Sequence, residues 1–212
     1  MKPLGQYFDH TLLKPEAGEN DIRRLCTEAK EHELYAVCVN SCYVSLCAEE
    51  LAGSEVKIAA VVGFPLGACD TATKVFETTS AVDHGAHEID MVLQVGALKE
   101  ERDDYVLDDI KAVVEAARQG DAIVKVILET CLLSEDEIVR ACKLAQKAGA
   151  AFVKTSTGFN AAGATVEHVS LMKKIVGDSM QVKASGGIRD KEKALAMIQA
   201  GADRIGASTL LV

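Results

Sequence analysis

Aromatic side chains make up only 4% of this chain, and no apolar run approaches the ~20 residues needed to span a bilayer. The opening Met1-Lys2-Pro3-Leu4 holds no apolar segment of the kind that directs secretion. Positive charge is also in short supply. The formal net charge is −9, and an acidic chain repels nucleic acid and anionic membrane, so neither is expected as a partner. Cys26, Cys38, Cys42, Cys47, Cys69, Cys131 and Cys142 are odd in number and irregular in spacing, which argues against a disulfide framework and for reduced thiols in a cytoplasmic protein. Cys38, Cys42 and Cys47 lie close together, but no Cys-x-x-Cys pair or partner histidine completes a zinc set. His84 and His87 read as surface residues at the end of a helix and the start of a strand, so neither metal nor cofactor is expected. No Gly-x-Ser-x-Gly elbow is present.

What the chain does have is apolar residues, 49% of its 212, enough for one domain over 1–212 with a large core. Strand and helix patterns alternate along its whole length. Strands are expected at 9–13, 35–40, 56–62, 88–93, 123–129, 152–156, 181–184 and 204–208. Helices are expected at 20–32, 42–51, 71–82, 104–118, from the capping box Ser134-Glu135-Asp136-Glu137 to Gly149, at 166–176, and from Asp190 to 200. Eight such units, at about 26 residues each, predict a closed parallel (β/α)8 TIM barrel. A doubly wound open sheet is the alternative, but its Gly-x-Gly-x-x-Gly fingerprint after the first strand is missing.

Three of these strands carry a lysine: Lys125, Lys154 and Lys183. A single strand lysine reads as an ion pair with a nearby carboxylate. Three at comparable positions ask for more. Gly85-Ala86, Gly149-Ala150 and Gly201-Ala202 each close a helix, and five residues beyond each glycine stand Asp90, Lys154 and Gly206. These lie on even-numbered strands, whose inward side chains share a layer in such a barrel. Asp90 and Lys154 are therefore expected to project inward at one height, with Lys125 and Lys183 in neighbouring layers. Strand parity also puts Glu129 on the face of Lys125, where it would keep that lysine charged. A desolvated lysine near a second cation loses its proton more easily and becomes an amine able to form a Schiff base. Lys183, held charged, would also keep an anionic substrate nearby. Cys38, of inward parity, and Cys69, in the loop after the third strand, are thiols that an aldehyde could meet or that could simply pack.

Ser185-Gly186-Gly187-Ile188-Arg189 follows the seventh strand and Gly206-Ala207-Ser208-Thr209 the eighth, the places where this fold binds phosphate.

With these segments in view, the chain resembles the deoxyribose-phosphate aldolase family of Schiff-base (class I) aldolases. The resemblance rests on Asp9-His10-Thr11-Leu12-Leu13-Lys14-Pro15, Val61-Val62-Gly63-Phe64-Pro65-Leu66-Gly67, Glu88-Ile89-Asp90-Met91-Val92, Phe152-Val153-Lys154-Thr155-Ser156-Thr157-Gly158, Val182-Lys183-Ala184-Ser185-Gly186-Gly187-Ile188-Arg189 and Arg204-Ile205-Gly206-Ala207-Ser208. It implies reversible cleavage of 2-deoxy-D-ribose 5-phosphate to acetaldehyde and glyceraldehyde 3-phosphate. It implies Lys154 as the nucleophile, Lys183 as the lysine that tunes it, Asp90 in a proton relay, and Lys125 and Asp9 in support. It implies Gly158, Gly186, Gly187, Gly206 and Ser208 as phosphate contacts, a phosphosugar as the small-molecule partner, and a homodimer. A phosphosugar isomerase or epimerase, or a non-catalytic phosphosugar-binding barrel, would share the fold. Two departures stand out: Phe159 occupies a position where some members carry lysine, and the sequence ends at Thr209-Leu210-Leu211-Val212, where relatives continue through a further short helix and tail.

Overall fold

Eight parallel strands close into a barrel in sequence order, each paired with its chain neighbour and the last with the first. This computed structural model describes residues 2–210, so Met1 of the opening segment and Leu211 and Val212 of the ending lie outside the described residues. The strands are β1 (Phe8–Leu12), β2 (Ala36–Val39), β3 (Lys57–Val62), β4 (Glu88–Val92), β5 (Ile123–Ile127), β6 (Phe152–Lys154), β7 (Gln181–Ser185) and β8 (Arg204–Ala207). The helices between and around them are α1 (Glu19–Glu31), α2 (Val44–Glu50), α3 (Thr71–Asp83), α4 (Val95–Lys99), α5 (Asp103–Arg118), α6 (Glu135–Ala148), α7 (Val166–Val176) and α8 (Lys191–Gln199). No helix among the described residues is long and apolar enough to cross a membrane.

Local sequence explains the helix ends. Ser134 and Glu137 exchange the two bonds of a capping box at the start of α6, and Gly149 ends that helix in the left-handed region, φ 82°. Asp70, Thr165 and Asp190 cap α3, α7 and α8 by accepting from backbone N–H groups. The short α4 is not marked by periodicity in the sequence. It forms because Gln94 accepts a bond from the N–H of Ala97. Strands end earlier than the apolar pattern alone indicates: β5 stops at Ile127 and β6 at Lys154. Beyond those points the chain turns into loops over the barrel mouth, and Glu129 takes left-handed backbone, φ 55° and ψ 60°.

Packing divides the strands' two faces by chemistry. Outward residues such as Ile89, Met91, Val124, Val126, Val153 and Val182 meet Ile110, Val113, Ile138 and Met172 of the helix ring in one apolar core. The inside is layered. An eight-stranded barrel of shear eight advances one residue in height per strand, so the registers place inward side chains in layers of four from alternate strands. Counting up from the N-terminal end gives Ala36, Glu88, Phe152 and Arg204, then Asp9, Ala59, Lys125 and Lys183, then Cys38, Asp90, Lys154 and Gly206. Where such layers ordinarily hold branched aliphatic residues, these hold charge on the β4–β8 side and at Asp9 of β1. In these layers the β2–β3 side stays apolar, and Cys38, Ala59 and Val61 pack with Leu13, just past β1, and with Phe64.

A second buried ion pair ties the helix ring together. Lys74 of α3 donates to Asp109 of α5 at 2.6 Å, and Thr71 donates to the other Asp109 oxygen at 2.7 Å, with both charged groups out of solvent. Removing one partner strands the other charge, so Asp109→Leu should lower unfolding free energy by about 3–5 kcal/mol. Urea denaturation with a loss under 1 kcal/mol would contradict this.

Candidate active site

Asp90 receives all three barrel lysines. Its Oδ1 accepts from Lys125 at 2.6 Å, and its Oδ2 accepts from Lys154 at 2.7 Å and Lys183 at 2.8 Å. One layer lower, Lys183 also donates to Asp9, and Lys125 reaches Glu88 at 2.5 Å. Arg204 closes the cluster from below, donating to Asp9 at 2.6 Å and Glu88 at 3.1 Å. Its guanidinium stacks on Tyr35, 3.4 Å from the ring centroid. Strand parity produces this arrangement, since every one of the seven charged side chains sits on the inward face of its strand.

Counting charges identifies the odd group. Among the described residues, Lys125, Lys154, Lys183 and Arg204 pair only with Asp9, Glu88 and Asp90, so the cluster balances when one lysine is neutral. Arg204 and Lys183 each have two carboxylate partners, and Lys125 has two close ones with a third, Asp9, at 3.9 Å. Lys154 has one, Asp90 Oδ2, which it shares with Lys183.

The directions of the pKa shifts follow. Burial and then the Lys183 ammonium outweigh Asp90 and bring Lys154 below the ordinary lysine value. For Lys125 and Lys183 burial acts the same way, but their carboxylate partners win and both are raised. Burial opposes ionisation of Asp9, yet Lys183, Arg204 and Lys125 bring it down to about 2. Burial likewise disfavours the charged form of Asp90, but the three lysines hold it well below the carboxylate range. Sharing one oxygen puts the Lys154 and Lys183 amines no more than about 5.5 Å apart, where two ammoniums repel by about 3 kcal/mol at an effective dielectric near 20.

Of the three lysines only Lys154 lines the cavity at the C-terminal mouth, a space of about 270 Å³. The wall opposite is glycine-rich backbone. Gly158, Gly186, Gly187, Gly206 and Ser208 all line it, together with Thr11, Lys14, Thr157, Phe159 and Arg189. Two glycines have stated reasons. Gly186 stands at φ 84°, and a Cβ on Gly163 would lie 2.0 Å from the Gly186 oxygen, so the loop after β6 can pack on the loop after β7 only through glycine. Ala164 N–H then donates to the Ser185 and Gly186 carbonyls at 3.0 and 3.1 Å.

Several expectations need correction. Glu129 does not touch Lys125, because its left-handed backbone takes it off the strand parity; Glu88 and Asp90 hold Lys125 charged. Lys183 is enclosed and does not line the cavity; its charged partners are Asp9 and Asp90. Cys38 is buried in the Lys154 layer, its Sγ 3.9 Å from Asp90, and burial with the Asp90 charge raises its pKa. Cys69, half-buried near Gly63 and Lys74, is also raised by burial, and neither thiol lines the cavity. His84 and His87 are both exposed, as the sequence indicated, and His87 Nδ1 accepts from Ile58 N–H at 3.2 Å. Arg204, Lys14 and Arg189 lie in segments singled out in the sequence but were given no role of their own, and Gly163 went unmarked. Arg204 could have been found: it shares the inward face with Gly206, two residues along β8.

A closed (β/α)8 barrel, with a desolvated lysine and a carboxylate beneath a cavity at its C-terminal face, defines the class of barrel lyases built around a strand lysine. Comparison with known proteins then gives the family. The sequence model of the DeoC/LacD family aldolase matches residues 4–212, and the chain belongs to that family of aldolases. It is similar to the deoxyribose-phosphate aldolases of Clostridium novyi, 60% identical over 97% of this chain and 92% of the relative, and of Bdellovibrio bacteriovorus, 60% identical over 97% and 93%. A solved structure of a tetrameric deoxyribose phosphate aldolase from Aeropyrum pernix, 34% identical, superposes over 97% of this chain and 86% of that one with a TM-score of 0.89.

Charge balance makes Arg204 matter although it never reaches the cavity. Arg204→Met leaves three cations for three carboxylates, so Lys154 should hold its proton more firmly and its pKa should rise by about one unit. Competitive acetylation across pH, read at Lys154 by peptide mass spectrometry, measures this; an unchanged value would contradict the balance.

Proposed function

We propose that this aldolase cleaves 2-deoxy-D-ribose 5-phosphate reversibly to acetaldehyde and D-glyceraldehyde 3-phosphate through a Schiff base on Lys154. The observation that carries the proposal is that Lys154 alone among the barrel lysines is both open to the cavity and lowered in pKa. The printed names of the two bacterial relatives support the substrate.

In this reading the neutral Lys154 amine attacks the substrate's C1 aldehyde, and loss of water gives a protonated imine. Removal of the proton from the C3 hydroxyl then breaks the C2–C3 bond. Its electrons move into the imine to give an enamine, and glyceraldehyde 3-phosphate leaves. Protonation of the enamine at C2 and hydrolysis release acetaldehyde and return the amine. Asp90, 2.7 Å from the Lys154 nitrogen and 2.8 Å from Lys183, is placed to carry protons with Lys183. Lys125 and Asp9 hold Asp90 and Lys183 in their charge states. Gly158, Gly186, Gly187, Gly206 and Ser208 receive the phosphate, with the Lys14 and Arg189 side chains and the N-terminus of α8 supplying positive potential.

Residues 1–212 act as one domain in this proposal, and the assembly is a homodimer; the Aeropyrum pernix relative is described as tetrameric. Seven free cysteines among the described residues support a reducing, cytoplasmic setting.

Incubation with acetaldehyde and borohydride should place an ethyl group on Lys154, seen by peptide mass spectrometry, and Lys154→Arg should abolish it. Lys183→Leu removes the neighbouring ammonium, so the Lys154 pKa rises and residual activity should move to higher pH. An isomerase or a silent binding barrel would trap nothing. An ethyl group mainly on Lys125 or Lys183 would overturn the assignment.

A further inference from the structure

Glu129 is a buried carboxylate that the mechanism above does not use. It stands just past β5, 2% exposed, and no ion pair joins it among the described residues. Its backbone is left-handed, φ 55° and ψ 60°, a region where a residue with a Cβ is held only by surrounding constraints. Both carboxylate oxygens point at one residue. Thr157 N–H donates to Oε1 at 3.2 Å and the Thr157 hydroxyl donates to Oε2. A carboxylate oxygen can only accept, so the hydroxyl is the donor of the second bond, and Thr157 Oγ1 also accepts from Phe159 N–H at 3.1 Å. Neighbouring backbone reinforces the link, with Thr130 N–H donating to the Thr155 carbonyl at 2.9 Å.

Thr157, Gly158 and Phe159 form one wall of the cavity over Lys154. A Cβ on Gly158 would lie 3.8 Å from the Gly186 Cα, so this wall leans on the glycine loop after β7. On its other side the exposed Phe159 ring meets Phe64 edge-on, centroids 5.2 Å apart. The tripeptide has no regular secondary structure of its own. It is held from beneath by one carboxylate and from the side by one aromatic contact.

We propose that Glu129 is a positioning residue of this aldolase: it anchors Thr157 and so sets the wall that presents Gly158 to the phosphate of the substrate. The proposal rests on the phosphosugar reading above. Glu129 touches no reacting atom, and it acts through Thr157 on discrimination between phosphorylated and unphosphorylated sugar.

Substitution by glycine separates the anchor from the backbone, since glycine adopts the left-handed region without strain. Glu129→Gly should lower the ratio of kcat/KM for deoxyribose 5-phosphate over free deoxyribose about tenfold, the loss expected for a charge-assisted bond. Thr157→Val should do the same with little change of shape. Glu129→Gln, which keeps one acceptor, should fall between Glu129→Gly and the unmodified chain. Borohydride trapping of acetaldehyde on Lys154, which involves no phosphate, should proceed in all three. A purely structural role would lower Tm and leave the substrate ratio unchanged in Glu129→Gly and Thr157→Val, and that result overturns the proposal. Absence of trapping in the unmodified protein would instead overturn the Schiff-base reading, with the substrate ratio still deciding the role of Glu129.

Discussion

Everything in the barrel interior turns on the two oxygens of Asp90. Three lysine amines converge on them, and a buried carboxylate that accepts from three cations cannot compensate them all equally. Lys125 and Lys183 each find a second carboxylate in the layers below; Lys154, in the uppermost charged layer, does not. The unshared cost of desolvation therefore falls on the one amine that faces the cavity. Nucleophilic character at Lys154 is, on this account, a property of the whole cluster down to Arg204, and not of the residue alone.

The fold delivers this arrangement through geometry that is indifferent to charge. Parallel pairing with a one-residue climb per strand brings residues far apart in the chain to one height, as it does for Cys38, Asp90, Lys154 and Gly206. An apolar shell of outward strand residues and helices provides the stability that a charged interior does not. The glycine loops above supply backbone N–H groups close to the cavity, and close packing such as that of Gly163 on Gly186 keeps them in place. The wall opposite has no such regular support, which is why a single buried carboxylate beneath it carries so much of its placement.

Much of this was legible in the sequence because it depends on periodicity. Alternation of strand and helix gives the barrel, and the five-residue offset from Gly85, Gly149 and Gly201 gives the height of Asp90, Lys154 and Gly206. What escaped depends on where regular structure stops. Glu129 looked like a partner of Lys125 because parity was carried two residues past the end of β5, into backbone that had already turned left-handed. Arg204 looked like the first residue of a strand, and only its contacts with Asp9 and Glu88, far away in the chain, make it part of the site. Cys38 had the right parity, but parity does not tell that Leu13, Val61 and Phe64 pack around it. The helix Val95–Lys99 leaves little periodic trace in five residues, and is held by the side chain of Gln94.

The central claim is that Lys154 gives up its proton more readily than Lys125 and Lys183, whose carboxylate partners hold them charged. Side-chain nitrogen and ε-carbon chemical shifts of selectively labelled lysines, followed by NMR across pH, read each protonation state separately. Lys154 should titrate first of the three and below the ordinary lysine value of 10.5, with Lys125 and Lys183 still charged above it. Loss of the proton from Lys125 or Lys183 before Lys154, or a Lys154 ammonium that persists beyond 10.5, would contradict the account.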